Sequence, residues 1–178
     1  MITVTNDDFK GDAKGVVPKG KYKIRAIGNM NVVGRTTNNG DFQMSLTIPL
    51  VAYEELDTGA KVDSSTFYHA MTVSGSLAAQ EVGKSQLVKL LGALGLDNEN
   101  AAAVIESIPA NVPTQEALEA AGFKGLPINL TLSSGEPFQA KKRTFEGSVK
   151  VRSYTKKDGT AGESNQLSTP WASKGSEA

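Results

Sequence analysis

The stretch Gly83-Lys84-Ser85-Gln86-Leu87-Val88-Lys89-Leu90-Leu91-Gly92-Ala93-Leu94-Gly95-Leu96 decides the fold class. Leu87, Leu90, Leu91 and Leu94 fall at i, i+3, i+4 and i+7, one face of a helix. Ser85 can cap its start and Gly95 can end it. Two more helices are predicted behind it: Asn98 to Ile108, stopped by Pro109, and Thr114 to Ala121, closed by Gly122. The patterned segments on either side of this helical block alternate with a period of two, the signature of half-buried strands.

Three strands are predicted before the block. In the first, 20–33, Tyr22, Ile24 and Ala26 alternate with Lys21, Lys23 and Arg25. The loop Gly34–Gly40 follows, with the turn pair Asn39-Gly40. The second, 41–51, places Phe42, Met44, Leu46, Ile48 and Leu50 on one face, with Pro49 marking an edge or a bulge. The third lies within 61–73. Two strands are predicted after the block: 127–133, on the alternation of Ile128, Leu130 and Leu132, and 147–154, on that of Val149 and Val151. A long excursion, 134–147, separates these two.

This is mainly β with a helical insert, an α+β chain. Three strands, helices, then two strands is the order of a five-stranded OB-like Greek-key barrel, whose helical element lies between strands three and four. The expected organisation is a flexible lead-in over 1–19 with Phe9 docked, one domain over 20–154, and a flexible polar tail over 155–178.

Composition excludes several classes of function. The chain has 178 residues, 39% apolar and 21% charged, with zero formal net charge and no cysteine. A disulfide scaffold, a thiol nucleophile and a cysteine-ligated metal are therefore excluded. His69 is the only histidine; no nucleophile motif accompanies it, and it reads as a strand residue beside Tyr68. Gly83-Lys84-Ser85 lacks the upstream glycine of a phosphate-binding loop, because position 78 is alanine. Glu54, Glu55 and Asp57 read as a solvated turn. No enzyme activity, cofactor or metal is expected. Met1 to Asp8 lacks the regions of a signal peptide. The longest apolar run, Ile48 to Tyr53, is too short for a bilayer, so no membrane partner is expected.

Charge is neutral in sum but not in place. Lys141, Lys142, Arg143, Lys150, Arg152, Lys156 and Lys157 are opposed only by Glu146, giving about +6 over 141–157. The insert from Asp97 to Gly122 holds Asp97, Glu99, Glu106, Glu116 and Glu119 and no lysine or arginine, hence −5. A basic side attracts phosphates and releases their counterions. Barrels of this type bind oligonucleotides on the face of strands two and three and between the loops joining strands 1–2 and 4–5. The expected nucleic-acid site is therefore Lys21, Lys23, Arg25, Arg35, Lys141, Lys142, Arg143, Lys150 and Arg152, with Phe138, Phe145 and Tyr154 as stacking platforms. Tyr53, Phe67 and Tyr68 are further aromatic candidates, and Tyr22 and Phe42 are assigned to the core.

Pro18-Lys19-Gly20-Lys21-Tyr22-Lys23-Ile24, the Asn39-Gly40 turn, Met44-Ser45-Leu46 and the run Gly83 to Leu96 together resemble a group of small phage-encoded OB-fold single-stranded-DNA-binding proteins. The similarity covers roughly residues 18–154. It implies a sequence-tolerant single-strand binder that protects or presents DNA in phage replication or recombination. It also implies the host cytoplasm as location and replication or recombination proteins as partners. RNA as ligand and a homo-oligomer stay open. Ser168 to Ala178 lacks the acidic tip with which bacterial single-strand-binding proteins recruit partners. The competing expectation is a non-catalytic structural or protein-interaction module, a virion component or a host-factor inhibitor, on the same β scaffold.

Overall fold

Alternation in the first basic stretch produces what it predicts. In strand β1, Gly20–Ala26, the side chains of Tyr22, Ile24 and Ala26 are buried while Lys21 and Arg25 are exposed. The computed structural model of the protein describes residues 15–173; Phe9 lies outside them. The first predicted strand divides in two: residues 27–30 leave the ladder, and β2, Asn31–Thr36, resumes it. Both pieces pair with the same long strand β3, Phe42–Glu55, β2 along its first half and β1 along its second. Along its other edge β3 pairs with β4, Phe67–Thr72.

Three helices follow: α1, Leu77–Ala93; α2, Asn98–Asn111; and α3, Gln115–Ala121. Helix α1 is capped not by Ser85 but by Ser76, whose hydroxyl accepts the Ala79 N–H at 3.1 Å. Its first turns carry Leu77 and Val82 exposed, so the apolar period begins only where the helix meets the core. Pro109 does not stop α2; it sits in the last turn, two residues before the end at Asn111.

The predicted strand over 127–133 does not form. Leu126–Pro127 alone join the sheet, as the short β5 against β2, and Thr131 makes an isolated bridge to Pro137. Ile128, Leu130 and Leu132 do pack inward, but the backbone joins no strand of the sheet. It folds back on 136–138, with the Leu132 N–H donating to the Glu136 carbonyl and the Phe138 N–H to the Leu130 carbonyl, both at 2.8 Å, and it is bonded to α2. Ser107 Oγ accepts the Thr131 N–H at 3.2 Å, and Asn100 Oδ1 accepts the Ser133 N–H at 3.1 Å. The alternation is real; its partners are a helix and a local hairpin.

Strand β6, Thr144–Thr155, pairs with β1, and a last strand, β7, Ala161–Trp171, pairs with β6. The polar tail expected over 155–178 therefore contains a strand of eleven residues. Only Gly162, Asn165 and Leu167 of β7 are buried, so its apolar pattern is too thin to announce it. Backbone pairing from Glu146↔Trp171 to Thr155↔Ala161 forms it instead.

The result is one antiparallel sheet of seven strands in the order β5-β2-β3-β1-β6-β7, with β4 on the far edge of β3. The helices pack over one side, with Leu87, Leu90, Leu91, Val104 and Leu118 meeting Leu46, Ile48, Met71 and Phe145 in one core. The sheet does not close into the expected five-stranded barrel. β4 and β7 approach each other but share no ladder, leaving a seam. Counting antiparallel steps, they run in the same sense.

One end of that seam is bridged by residues 15–18. Gly15 pairs with Ser64 in parallel, and its carbonyl accepts the Ser65 N–H at 2.9 Å. Asn165 of β7 accepts the Val17 N–H at 2.9 Å and donates to the Val17 carbonyl at 2.8 Å. This side-chain amide does what a neighbouring strand would do. Among the described residues, no helix is long and apolar enough to cross a membrane.

Candidate nucleic-acid interface

The seam between β4 and β7 opens into a groove of about 740 Å³. Strand alternation builds its floor. Leu46, Ile48 and Leu50 turn to the core, so Ser45 and Thr47 turn outward, beside Val33 and Arg35 of β2 and Tyr68, Ala70 and Thr72 of β4. Residues 164–168 of β7 form the opposite wall, joined by Arg152 of β6 and by Gln86 and Lys89 of α1.

The charge of this groove is one-sided. Arg35, Lys89 and Arg152 are its ionised residues, and no aspartate or glutamate lines it. All three cations are exposed. Arg35 keeps its fork oriented by donating from Nη2 to Gln43 Oε1 at 3.3 Å. Tyr68 is 64% exposed and supplies an aromatic face. Around these groups stand the neutral donors and acceptors Ser45, Thr47, Gln86, Ser164, Gln166 and Ser168. His69, on the inner face of β4 opposite Ile48, also reaches the lining. Burial lowers its pKa from the ordinary value of 6.5, so it is neutral at pH 7.

Only two of the twelve predicted site residues, Arg35 and Arg152, stand in this groove. Phe138 and Phe145 cannot stack on a base: both are buried, Phe145 completely. Their environment explains it. Phe145 pairs opposite Ile24 over the core, and Phe138 lies beneath the Arg143 guanidinium at 5.1 Å from its centroid. Arg143 is itself structural. Its Nε donates to the Gln139 carbonyl at 2.8 Å and its Nη1 to the Leu94 carbonyl at 3.1 Å, so it caps the end of α1. Phe67, another aromatic candidate, is buried too.

Lys141 and Lys142 are exposed, but they do not occupy the loop assumed for them. Their turn precedes β6 and is tied to β1 by the Lys142 N–H to Ala26 carbonyl bond of 2.8 Å. The turn that joins the last two long strands is instead 156–160, with Lys156 and Lys157. Lys21, Lys23 and Arg25 share the outer face of β1, as predicted, away from the groove. Lys23 is paired with Glu54 at 2.8 Å, and Arg25 lies 5.0 Å from the centroid of the Tyr53 ring. Lys150 and Tyr154 are exposed on β6, where the Tyr154 ring covers Gly162 across the strand pair.

No family model matches the chain, and no curated protein is similar to it in sequence. The site therefore rests on its own geometry. Sequence reasoning missed Lys89 and Gln86, because the exposed side of α1 reads as solvated, and it missed the β7 wall because it missed β7. Tyr68 is visible in the sequence as an aromatic on a strand, but its outward side follows only once Phe67 and Met71 are seen to be buried. Among the described residues no group of three or more His, Asp or Glu could hold a metal ion.

Proposed function

We propose that this protein binds single-stranded nucleic acid, with the phosphates of one strand following Arg35, Lys89 and Arg152 along the β4–β7 groove. The observation that carries the reading is a groove with three cations, no carboxylate and one exposed tyrosine. Single strands need such a basic track with an aromatic platform, and stacking tolerates any base. Neutral hydroxyls and amides on the walls suit phosphate and sugar contacts, which position a strand without reading its sequence.

Connectivity supports the same reading. Taken as one bent strand, β1 and β2 join β3, β4, β6 and β7 in the order of an OB fold, with the helices after the third strand and the seam where the barrel would close. Oligonucleotides bind such folds on the face of the second and third strands, here β3 and β4. The role in phage replication or recombination follows from the family resemblance and is part of the proposal.

Affinity for labelled single strands and matched duplex, measured across salt, tests it. Three phosphate contacts give a log–log slope of about −2, at about −0.7 each. Single strands should bind better than duplex, with little dependence on sequence. Lys89→Glu with Arg152→Glu should abolish binding and leave the melting temperature unchanged. Equal affinity for duplex means a merely electrostatic patch. No affinity at low salt overturns the reading in favour of a protein-interaction scaffold.

A further inference from the structure

Phe123 is 96% exposed, the most exposed of the large apolar side chains among the described residues. It lies in a 3-10 turn, Gly122–Lys124, between α3 and β5. This turn is defined, not loose. Gly122 and Gly125 both hold positive φ, 61° and 65°, and the Gly125 N–H donates to the Gly122 carbonyl at 3.3 Å. The Gly125 backbone packs so closely on β2 that a Cβ there would stand 2.4 Å from the Val32 carbonyl oxygen and 2.9 Å from Val33 Cγ2. Only glycine permits both the conformation and the contact.

The position of the turn gives the exposed ring a use. β5 pairs Leu126 with Val32 and Pro127 with Asn31. Just before that pairing the Gly125 backbone lies against Val32 and Val33, and the turn packs on β2. Val33 and Arg35 line the groove. The turn therefore stands on the β2 side of the groove, diagonally across β3 from Tyr68. Lys124, the next residue, is exposed as well. Solvent-exposed phenylalanine beside a lysine gains nothing for the core, whereas an aromatic ring with an adjacent cation is the unit from which single-strand tracks are built.

From this we infer that Phe123 is a second base-stacking platform and that Lys124 meets the adjoining phosphate. The strand leaves the groove over β2 and lays a base on this ring. The inference rests on the proposed function and extends it: the footprint crosses β4, β3 and β2 and ends at the turn. Three inter-strand spacings of about 4.8 Å and an offset of about four to six residues along β3, at about 3.3 Å each, put Tyr68 and the turn about 20–25 Å apart.

Oligothymidylates of about 4 and about 16 nucleotides, the ends of the range for one such domain, separate the two claims. Phe123→Ala should weaken the longer strand about 5- to 150-fold, the value of one stacked base, and leave the shorter within twofold. Phe123→Trp should bind the longer strand with quenched indole fluorescence, beyond any change in the wild-type Trp171 signal. Full exposure of the ring makes an unchanged melting temperature the expected control. If wild-type protein binds neither oligonucleotide, the proposed function fails and the inference falls with it. If wild-type protein binds, but Phe123→Ala binds the longer strand equally and Phe123→Trp is unquenched, the inference alone is overturned. It is overturned in the same way if Phe123→Ala changes only self-association in sedimentation.

Discussion

Glu54 lies between two ammonium groups, Lys23 at 2.8 Å and Lys61 closer still. Hydrogen bonds from Lys23 first and Lys61 second hold its carboxyl down to about 2. His69 is also pulled down, but by burial, which disfavours its charged form. In both cases the unfolded chain takes up a proton before the folded chain does, so stability falls with falling pH. The windows differ. The His69 loss begins below its ordinary value of 6.5; the Glu54 contribution is full above 4.5 and is lost as pH falls towards about 2. Urea melts across pH should show two declines. His69→Gln should remove the upper one, and Glu54→Gln should make the lower one shallower. Part of the remainder belongs to Asp158, held low chiefly by its hydrogen bonds with Thr160. At this scale the sequence was legible where a residue type has one use. Tyr22 and Ile24 read as core and are core. Phe138, Phe145 and Arg143 did not read correctly, because an aromatic or an arginine near a basic cluster has two uses. Only packing decides between them: here Arg143 closes a helix end and both rings fill the interior.

Helix α1 packs closely on β4 at Gly83. A Cβ on Gly83 would stand 1.8 Å from the Thr72 carbonyl oxygen, which no rotamer can relieve. Gly83→Ala must therefore push the helix off the strand, at about 1–3 kcal/mol or more. The same displacement carries Gln86 and Lys89 away from the groove. The expected outcome is a lower melting temperature together with weaker single-strand binding, the second measured where the variant is still folded. In the sequence Gly83 stands out as part of Gly-Lys-Ser, but its use is steric. Elements were legible where one face is apolar for several turns or rungs, as in β1, β3 and the second half of α1. They were illegible where backbone groups, not apolar side chains, supply the pairing. Residues 127–133 look like a strand of the sheet but bond to α2 and to 136–138, and β7 looks like a tail and bonds to β6. Misplacing that one strand moved the loop expected to bind DNA from 156–160 to 134–147.

Across the whole molecule, two side chains fasten the last strand beyond its ladder with β6. Asn165 holds Val17, and Trp171 donates from Nε1 to Glu146 Oε1 at 3.0 Å, with Glu146 buried. Trp171→Phe keeps an aromatic ring but removes the donor from a buried carboxylate. The expected loss is about 1–3 kcal/mol by denaturant titration, with a weaker grip on single strands because β7 is a wall of the groove. The α+β class was legible from the order of strands and helices. The open seam was not, since it depends on β4 and β7 meeting without a ladder. That seam also sets a timetable. A ribosome delivers β4 about 100 residues before the end of β7, counting from Thr72 to Trp171, and at about 5–20 residues per second the interval is roughly 5–20 s. Throughout it the nascent chain lacks the β7 segment that stands over the unpaired outer edge of β4, leaving that edge open to pairing with a neighbouring nascent chain. It also lacks the wall against which a nucleic-acid strand would lie. The half-made protein is at once the form most exposed to mispairing and, on the proposed function, the form without a complete groove.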